Sequence, residues 1–471
     1  MLKIVLSLIL ACGALATHAQ EALPSSLPQS IKSALINAGI PPGASTFVVQ
    51  EVGVPEFRVA HNTMTPMNPA SLMKLVTTFG ALELLGPTFT WKTTLHSTGP
   101  INNGALDGDV IIRGSGDPKL VVENVWLLLR KLQAAGINEI RGDIVLDRSA
   151  FDIAELDPGK FDGEANRAYN VGADALLMNF KAITYTFIPN GTAVAVSAEP
   201  RLAGMKLPAS VRATLGECGD WRSKLGADFT DALAPKFSGS MPASCGEKSW
   251  SQGAFTAQRY AALLIAQQWA DLGGKLRGKV REGTLPQAGA RQLAEWQSPS
   301  LAEVIRDINK FSNNVMARQV FLTIAAETTQ QAASAKLAER SIKDWAQQRG
   351  LSLPELVLEN GSGLSRTERI SGGGLARLLQ AAYASPVMPE LISSLPISGL
   401  DGTMKRRKNN PSAGSAHIKT GSLRDVNGMA GIVHAANGRH YVVVGIINHD
   451  NAQAARAALD ALLAYAYAGA P

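Results

Sequence analysis

The chain has 471 residues, of which 46% are apolar and 18% are charged, and its formal net charge is +6. This balance excludes a disordered chain, and the length is sufficient for two or three domains with a sizeable core. The short basic run from Lys405 to Lys408 is interpreted as a solvated loop, so we expect no nucleic-acid partner.

The first 19 residues have the organisation of a secretory signal peptide. Lys3 supplies the positive charge, Ile4 to Leu10 the apolar stretch, and Thr17-His-Ala19 a small-residue cleavage site. Export with cleavage after about Ala19 is therefore predicted. The alternative is a lipoprotein signal with an anchor on Cys12, but the residue at position 10 is a leucine where such signals usually have a small residue.

Four elements are predicted between this peptide and residue 88. They are a helix from Ile31 to Asn37, strands from Thr46 to Val52 and from Phe57 to Ala60, and a helix from Ser71 to Leu85 that ends at Gly86-Pro87. The last helix has an apolar face, because Leu72, Leu75, Val76, Phe79 and Leu82 recur at helical spacing.

This helix also carries the first candidate for catalytic chemistry, a Ser-x-x-Lys pattern. Ser71 and Lys74 are three residues apart, so both side chains lie on one face of the helix. A serine hydroxyl becomes a good nucleophile only when a base takes its proton. Lysine can be that base if burial or a nearby cation lowers its pKa. Taken alone, the pattern is better explained as a first helical turn with a serine and a solvated lysine.

Residues 89–286 are predicted to form an inserted region of α/β and β-rich structure, in two small domains. Strands at Trp91 to His96, Asp109 to Arg113 and Asp143 to Asp147, with a helix at Val121 to Leu132, indicate an α/β unit, and a hairpin is predicted around Pro189-Asn-Gly191. Cys218 and Cys245 lie in this region. In an oxidising compartment we expect them to form a disulfide, and two buried thiols are the alternative.

Neither a cofactor nor a metal is expected. Gly114-Ser-Gly116 lacks the third glycine of a dinucleotide-binding loop, and Val280 stands where a phosphate loop needs Ser or Thr. The seven histidines show no His-x-x-x-His spacing that would indicate a metal site.

From residue 287 onward the pattern becomes helical and then returns to strands. Ser300 and Glu303 predict a capped helix, and strands at Met429 to His434 and Tyr441 to Ile447 flank the hairpin signal Asn437-Gly438. We therefore expect residues 20–88 and 287–471 to form one α+β domain with an antiparallel sheet flanked by helices.

Two further short stretches complete a set with Ser71 and Lys74. Ser312-Asn-Asn314 lies between two predicted helices, where helix capping would be its ordinary role. Lys419-Thr420-Gly421 precedes the final strands, where an edge lysine would be unremarkable. In this order the stretches form the Ser-x-x-Lys, Ser-x-Asn and Lys-Thr-Gly triplet of β-lactamases and penicillin-binding proteins.

With this triplet, most of the chain resembles the class C penicillin-binding proteins, the D-alanyl-D-alanine carboxypeptidase/endopeptidases. The resemblance also covers Gly361 to Arg366, Pro396 to Gly402 and Gly114 to Pro118, and the long interval between Ser71 and Ser312. It implies a β-lactamase/transpeptidase-like catalytic domain. One departure is Asn360, where many members have Asp.

The resemblance also implies the roles of the site residues. Ser71 would be the nucleophile and Lys74 its proton acceptor, while Ser312 and Asn314 would assist proton transfer and substrate binding. Lys419, Thr420 and Ser422, next to Gly421, would bind the substrate carboxylate, and the backbone N–H groups of Ser71 and Ser422 would form an oxyanion hole. The implied partners are peptidoglycan peptides and β-lactam inhibitors in the periplasm, with peripheral membrane association and oligomeric state left open.

Two other functions share this scaffold. A β-lactamase has the same triplet but must hydrolyse its acyl adduct quickly, and no additional Glu-bearing loop is evident. A non-catalytic wall-binding protein would not need all five of the side chains Ser71, Lys74, Ser312, Asn314 and Lys419.

Overall fold

The structure is a computed structural model that describes residues 27–154 and 157–470. The predicted signal peptide at residues 1–19 and Cys12 lie outside these residues. None of the helices within the described ranges has the length and apolarity needed to cross a membrane.

The helices and strands are numbered in chain order. The helices are α1 (Gln29–Asn37), α2 (Met73–Leu85), α3 (Val122–Ala134), α4 (Ala257–Asp271), α5 (Leu301–Phe311), α6 (Asn314–Thr329), α7 (Ala335–Gln348), α8 (Gly372–Tyr383), α9 (Met388–Ser394) and α10 (Arg456–Tyr467). The strands are β1 (Ser45–Glu51), β2 (Phe57–His61), β3 (Pro66–Met67), β4 (Lys92–Ser97), β5 (Ile101–Asn102), β6 (Ala105–Leu106), β7 (Val110–Arg113), β8 (Glu139–Ile140), β9 (Ile144–Asp147), β10 (Ile183–Asn190), β11 (Ala193–Glu199), β12 (Ser210–Thr214), β13 (Leu225–Asp228), β14 (Lys236–Pro242), β15 (Lys248–Gln252), β16 (Lys275–Leu276), β17 (Val280–Glu282), β18 (Arg291–Gln297), β19 (Ile370–Ser371), β20 (Ala416–Leu423), β21 (Val426–His434) and β22 (His440–Asn448).

A five-stranded antiparallel sheet joins the two ends of the chain. Its strand order is β2-β1-β22-β21-β20, and β1 pairs with β22 in the register Val48 to Val444. Helices α1 and α10 cover one face, where Ile31, Leu459 and Leu463 are buried in one apolar cluster. Helix α8 contacts β1 and β22 from the other side. The predicted α+β class, with an antiparallel sheet flanked by helices, is confirmed.

Helix α2 lies at the centre of the apolar core beside this sheet. Each residue from Met73 to Leu82 is buried, so the helix is surrounded by protein on all sides and not only on its apolar face. It contacts α5, α6 and α7, and Phe79 packs edge-on against Trp345 with ring centroids 5.2 Å apart. The residues at the start of α2 are therefore held by dense packing.

The middle of the chain forms three further sheets around a separate apolar cluster. A mixed five-stranded sheet has the order β17-β9-β7-β4-β18, a four-stranded sheet the order β16-β8-β6-β5, and a six-stranded sheet the order β13-β14-β12-β11-β10-β15. Buried residues of α3 and α4, including Leu128 and Leu264, belong to this cluster. The predicted hairpin is present as β10 and β11, which pair antiparallel.

One expectation about the second half of the chain is corrected. Helical structure was expected from residue 287, but residues Arg291–Gln297 form strand β18, and the next helix begins at Leu301. Strand β18 pairs with β4, about 200 residues earlier, and local sequence does not reveal such a distant partner. The division into domains remains a prediction, and this pairing favours a return to the catalytic part after Gln297.

Candidate active site

Ser71 lies in a short 3-10 turn, Ala70–Leu72, that leads directly into α2. The turn begins at Ala70, whose φ is +46°, and the side chain of Asn68 accepts a hydrogen bond from the Ala70 N–H at 2.9 Å. Asn68 is held in turn by Asn448, whose side chain accepts its backbone N–H at 2.7 Å. The nucleophile candidate is thus attached both to the central helix and to the last strand of the sheet.

Lys74 is fully buried, and its amine lies among three oxygen atoms. Nζ is 2.9 Å from Ser71 Oγ, 2.7 Å from Asn314 Oδ1 and 2.5 Å from the Ser362 carbonyl oxygen. The last two oxygens can only accept hydrogen bonds from the amine. A neutral amine that donates its two N–H groups to them directs its lone pair toward Ser71, which is the geometry of a base poised to take the hydroxyl proton.

Burial and neighbouring cations favour this neutral form. Burial is the largest effect that lowers the pKa of Lys74 far below its usual value of 10.5, and Lys419 and Arg318 lower it further. The carboxylate of Glu368 acts in the opposite direction.

Ser312 and Asn314 occupy the junction between α5 and α6. Ser312 ends α5 in the left-handed conformation, with φ 56° and ψ 40°, and Asn313 caps α6 by accepting the Met316 N–H at 3.0 Å. This sharp junction directs Ser312 toward Lys419 and Asn314 toward Lys74. The capping role expected of this stretch therefore falls to Asn313.

Lys419 lies on β20 at the edge of the sheet and is also fully buried. Its Nζ donates to Ser312 Oγ at 2.9 Å and to the Thr420 carbonyl at 2.8 Å. Burial lowers the pKa of Lys419 to about 7. Each lysine of the three motifs is therefore buried and within hydrogen-bond distance of one serine hydroxyl.

Gly421 allows β20 to approach the turn that carries Ser71. A Cβ atom at this position would lie 2.6 Å from the Pro69 carbonyl oxygen and 3.3 Å from Ala70 Cβ. The close approach therefore requires glycine, for reasons of space.

Backbone pairing determines which atoms β20 presents along its outer edge. Ile418 N–H donates to the Pro396 carbonyl on the side away from β21, at 2.8 Å. Because alternate residues of a strand direct their backbone groups to the same side, the Thr420 carbonyl and the Ser422 N–H also point outward. Two hydroxyl side chains of β20 also form hydrogen bonds. Thr420 Oγ1 donates to Thr403 Oγ1 at 2.7 Å, and Gln453 Nε2 donates to Ser422 Oγ at 3.1 Å.

Four site residues were missed by the motif analysis. Thr403 and Gln453 orient the hydroxyls of the last motif, the Ser362 carbonyl holds Lys74, and Glu368 is buried behind it. Ser362 belongs to the Gly361 to Arg366 stretch that was recognised only as a resemblance. Nothing in the sequence pattern distinguishes Glu368 from a surface glutamate.

The cysteines lie in the inserted region and not in this site. Cys218 and Cys245 are joined by a disulfide, with Cα atoms 4.7 Å apart.

A cavity of about 790 Å³ separates part of this region from α6, and its wall includes Arg318, Phe321 and Asn360.

The fold and the two lysine–serine pairs define a chain of the β-lactamase/transpeptidase-like class. The chain belongs to the D-Ala-D-Ala carboxypeptidase 3 (S13) family, which matches residues 27–466. The D-alanyl-D-alanine carboxypeptidase DacB of Haemophilus influenzae is 27% identical over 416 residues, 87% of this chain and 86% of that protein.

Solved structures agree with this assignment. Penicillin binding protein 4 (dacB) of Haemophilus influenzae superposes with a TM-score of 0.77 at 26% identity, over 93% of this chain and 98% of that chain. The same protein complexed with a β-lactam gives a TM-score of 0.72 at 25% identity, with the same coverage of both chains.

Proposed function

We propose that the chain is a serine D-Ala-D-Ala carboxypeptidase, a D-alanyl endopeptidase or both, and that it acts on peptidoglycan peptides through an acyl-enzyme. The observation that carries this proposal is the 2.9 Å approach of the buried Lys74 amine to Ser71 Oγ. The names of its relatives, a D-alanyl-D-alanine carboxypeptidase and a penicillin binding protein, support the same reaction class.

Acylation follows from the positions of the two lysine–serine pairs. Neutral Lys74 accepts the Ser71 proton while Oγ bonds to the penultimate D-Ala carbonyl carbon. The N–H groups of Ser71 and Ser422 stabilise the oxyanion. When the C–N bond breaks, Ser312 gives a proton to the leaving amine and is resupplied from Lys419, 2.9 Å away. Water then adds to the ester carbonyl and gives its proton, through Ser312, to Lys419, while Lys74 returns the proton to Ser71 Oγ as the C–O bond breaks.

The last motif explains why both substrate types fit one site. A D-Ala-D-Ala terminus and a D-Ala-diaminopimelate cross-link each carry a free carboxylate beside the scissile bond. Lys419 in its charged form, with the hydroxyls of Thr420 and Ser422, binds that carboxylate. β-Lactams carry a comparable carboxylate, and one is bound by penicillin binding protein 4 of Haemophilus influenzae.

We also propose that the protein acts in the periplasm after removal of residues 1–19. The organisation of the signal peptide supports export, and a disulfide between Cys218 and Cys245 suits an oxidising compartment. No cofactor enters this mechanism.

Labelling with a fluorescent penicillin, combined with an assay for D-Ala release, tests the function. We expect stoichiometric labelling that persists for many turnovers of the peptide substrate, together with D-Ala release from a D-Ala-D-Ala peptide. Rapid loss of the label would instead indicate a β-lactamase. Absence of both labelling and D-Ala release would indicate a wall-binding protein.

A further inference from the structure

Glu368 is a fully buried carboxylate close enough to Lys74 and Arg318 to raise the pKa of both, and none of the three motifs contains it. The charged groups that face it are Lys74 from α2 and Arg318 from α6, with Glu359 on its own segment, and Lys419 acts on Lys74 from β20. Buried glutamates are rare unless they are paired or hydrogen-bonded. Its position among buried cations therefore calls for a specific role.

One carboxylate oxygen of Glu368 organises the turn before Ser362. Oε1 accepts the backbone N–H groups of Glu359 at 3.1 Å, Asn360 at 2.9 Å and Gly361 at 2.9 Å. The next residue, Ser362, offers its carbonyl to Lys74 Nζ at 2.5 Å. Glu368 and the amine of Lys74 are thus hydrogen-bonded to neighbouring residues of the same turn.

The turn is clamped against α2 and cannot easily adopt another position. Thr77 Oγ1 donates to the Gly361 carbonyl at 2.7 Å. Gly363 has φ +80°, and a Cβ atom there would lie 1.9 Å from the Ala70 carbonyl oxygen. A shift of the three amides would therefore move the Ser362 carbonyl away from Lys74 or collide with the turn of Ser71.

The charge of Glu368 opposes that of the surrounding cations. Burial, Lys419 and Arg318 all lower the pKa of Lys74, and Glu368 raises it. Burial raises the pKa of Glu368 itself, while the three amides and Lys74 favour its ionised form. Its other oxygen, Oε2, has no hydrogen-bond partner among the described residues.

We propose that Glu368 is a positioning residue for acyl transfer. It fixes the turn that holds Lys74, and its negative charge favours the protonated amine that forms when Lys74 takes the proton of Ser71. This inference rests on the proposed function, since Lys74 must be the base. Two substitutions of Glu368 can therefore separate its effect on the position of the turn from the effect of its charge on Lys74.

Glu368→Gln keeps an acceptor for the three amides and removes the charge. Without the carboxylate, neutral Lys74 is favoured, so the acidic limb of penicillin acylation should move to lower pH by roughly one unit. Glu368→Asp keeps the charge but shortens the side chain. Its acidic limb should stay in place while the maximal acylation rate falls about tenfold or more, because the turn is displaced.

The measurement is the second-order acylation rate from pH 4 to 10, normalised to the fraction of protein that can be labelled. Glu355→Gln is the matched control, because Glu355 also accepts a backbone N–H, that of Ser371 at 3.2 Å, and also has an unpartnered Oε2 among the described residues, but lies outside the site. Its profile should equal that of the wild type.

A purely structural role would lower the labelled fraction and the melting temperature of the Gln variant but leave its acidic limb in place, and this result would overturn the inference. If Glu368→Gln does not fold, a wild-type maximal rate in Glu368→Asp would overturn it instead. Failure of the proposed function looks different, because the wild-type protein itself would then not be acylated.

Discussion

At the scale of single residues, the proposed reaction depends on two lysines in an environment that lysine usually avoids. Lys74 and Lys419 are both fully buried, and each has at least one hydrogen-bond partner from a segment distant in the sequence, such as Asn314 for Lys74 and Ser312 for Lys419. Desolvation disfavours the charged amine, which is what a lysine base requires at neutral pH. The surroundings of the two lysines differ, because burial lowers the pKa of Lys419 to about 7, whereas Lys419 and Arg318 lower the pKa of Lys74 in addition to burial.

The pH dependence of peptide hydrolysis should show both lysines. Lys74 must be neutral, so kcat/KM should rise with pH through a pKa far below 10.5. Lys419 must be charged to bind the carboxylate, so kcat/KM should fall again as the pH passes the pKa of about 7. The two limbs belong to the coupled pair. A rate that increased only above roughly pH 10 would exclude Lys74 as the base.

Substitution of Lys419 tests how the carboxylate is recognised. A charge-assisted hydrogen bond to it is worth about 1.5–3 kcal/mol. Lys419→Ala should therefore weaken carboxypeptidase and endopeptidase reactions alike and remove most of the preference for a free over an amidated C-terminus. Values of kcat/KM for a D-Ala-D-Ala peptide and its amide, with both enzymes, provide the comparison. If the preference were unchanged, another residue would read the carboxylate.

At the scale of elements, the site exists because an edge strand and a 3-10 turn come into contact. Strand β20 carries the last motif and the turn Ala70–Leu72 carries the first, and they meet at Gly421. Helix α2 holds the turn in place, since it is buried along its first ten residues.

Gly421→Ala should separate these two elements. The new methyl group would collide with the backbone oxygen of Pro69, at 2.6 Å, and this atom cannot rotate away. We expect acylation to fall about tenfold or more, with a loss of stability on the order of 1–3 kcal/mol. Gly43→Ala is the control, since no atom lies within 4 Å of a Cβ there. Equal labelling rates for the two variants would show that the strand has room to move.

Sequence patterns predicted where helices and hairpins lie better than they predicted which distant strands pair with one another. The apolar spacing in α2, the capping pattern at Ser300 and the Asn437-Gly438 hairpin each depend on neighbours within a few residues, and the structure contains all three. Strand β18 was missed because its partner β4 lies far away in the chain. Glu368 was missed because its complete burial is a property of the folded chain that no local sequence pattern reveals.

At the scale of the whole molecule, the buried apolar residues of the described part of the chain fall into separate clusters. Buried residues of α2, α5 and α6 form one cluster, and those of α3, α4 and β10 form another. A change confined to the second cluster should therefore affect stability more than catalysis.

The disulfide provides such a change. Cys218 and Cys245 are 27 residues apart, and a loop of this size corresponds to roughly 3 kcal/mol of stabilisation. The double variant Cys218→Ala/Cys245→Ala should lower the melting temperature of the inserted region, while penicillin labelling at 25 °C is retained. Mass mapping without reduction should recover the two cysteines in one linked peptide pair. Free thiols at both positions would contradict the bond.

The most direct test of the account is the site of acylation itself. Wild-type protein is treated with a β-lactam, digested and mapped by mass spectrometry, and Ser71→Ala is treated in parallel with its fold verified by circular dichroism. We expect one adduct per chain, located on Ser71, and no adduct on the variant. An adduct on any other residue of the wild-type protein, or acylation that persists in Ser71→Ala, would contradict the assignment of Ser71 as the nucleophile.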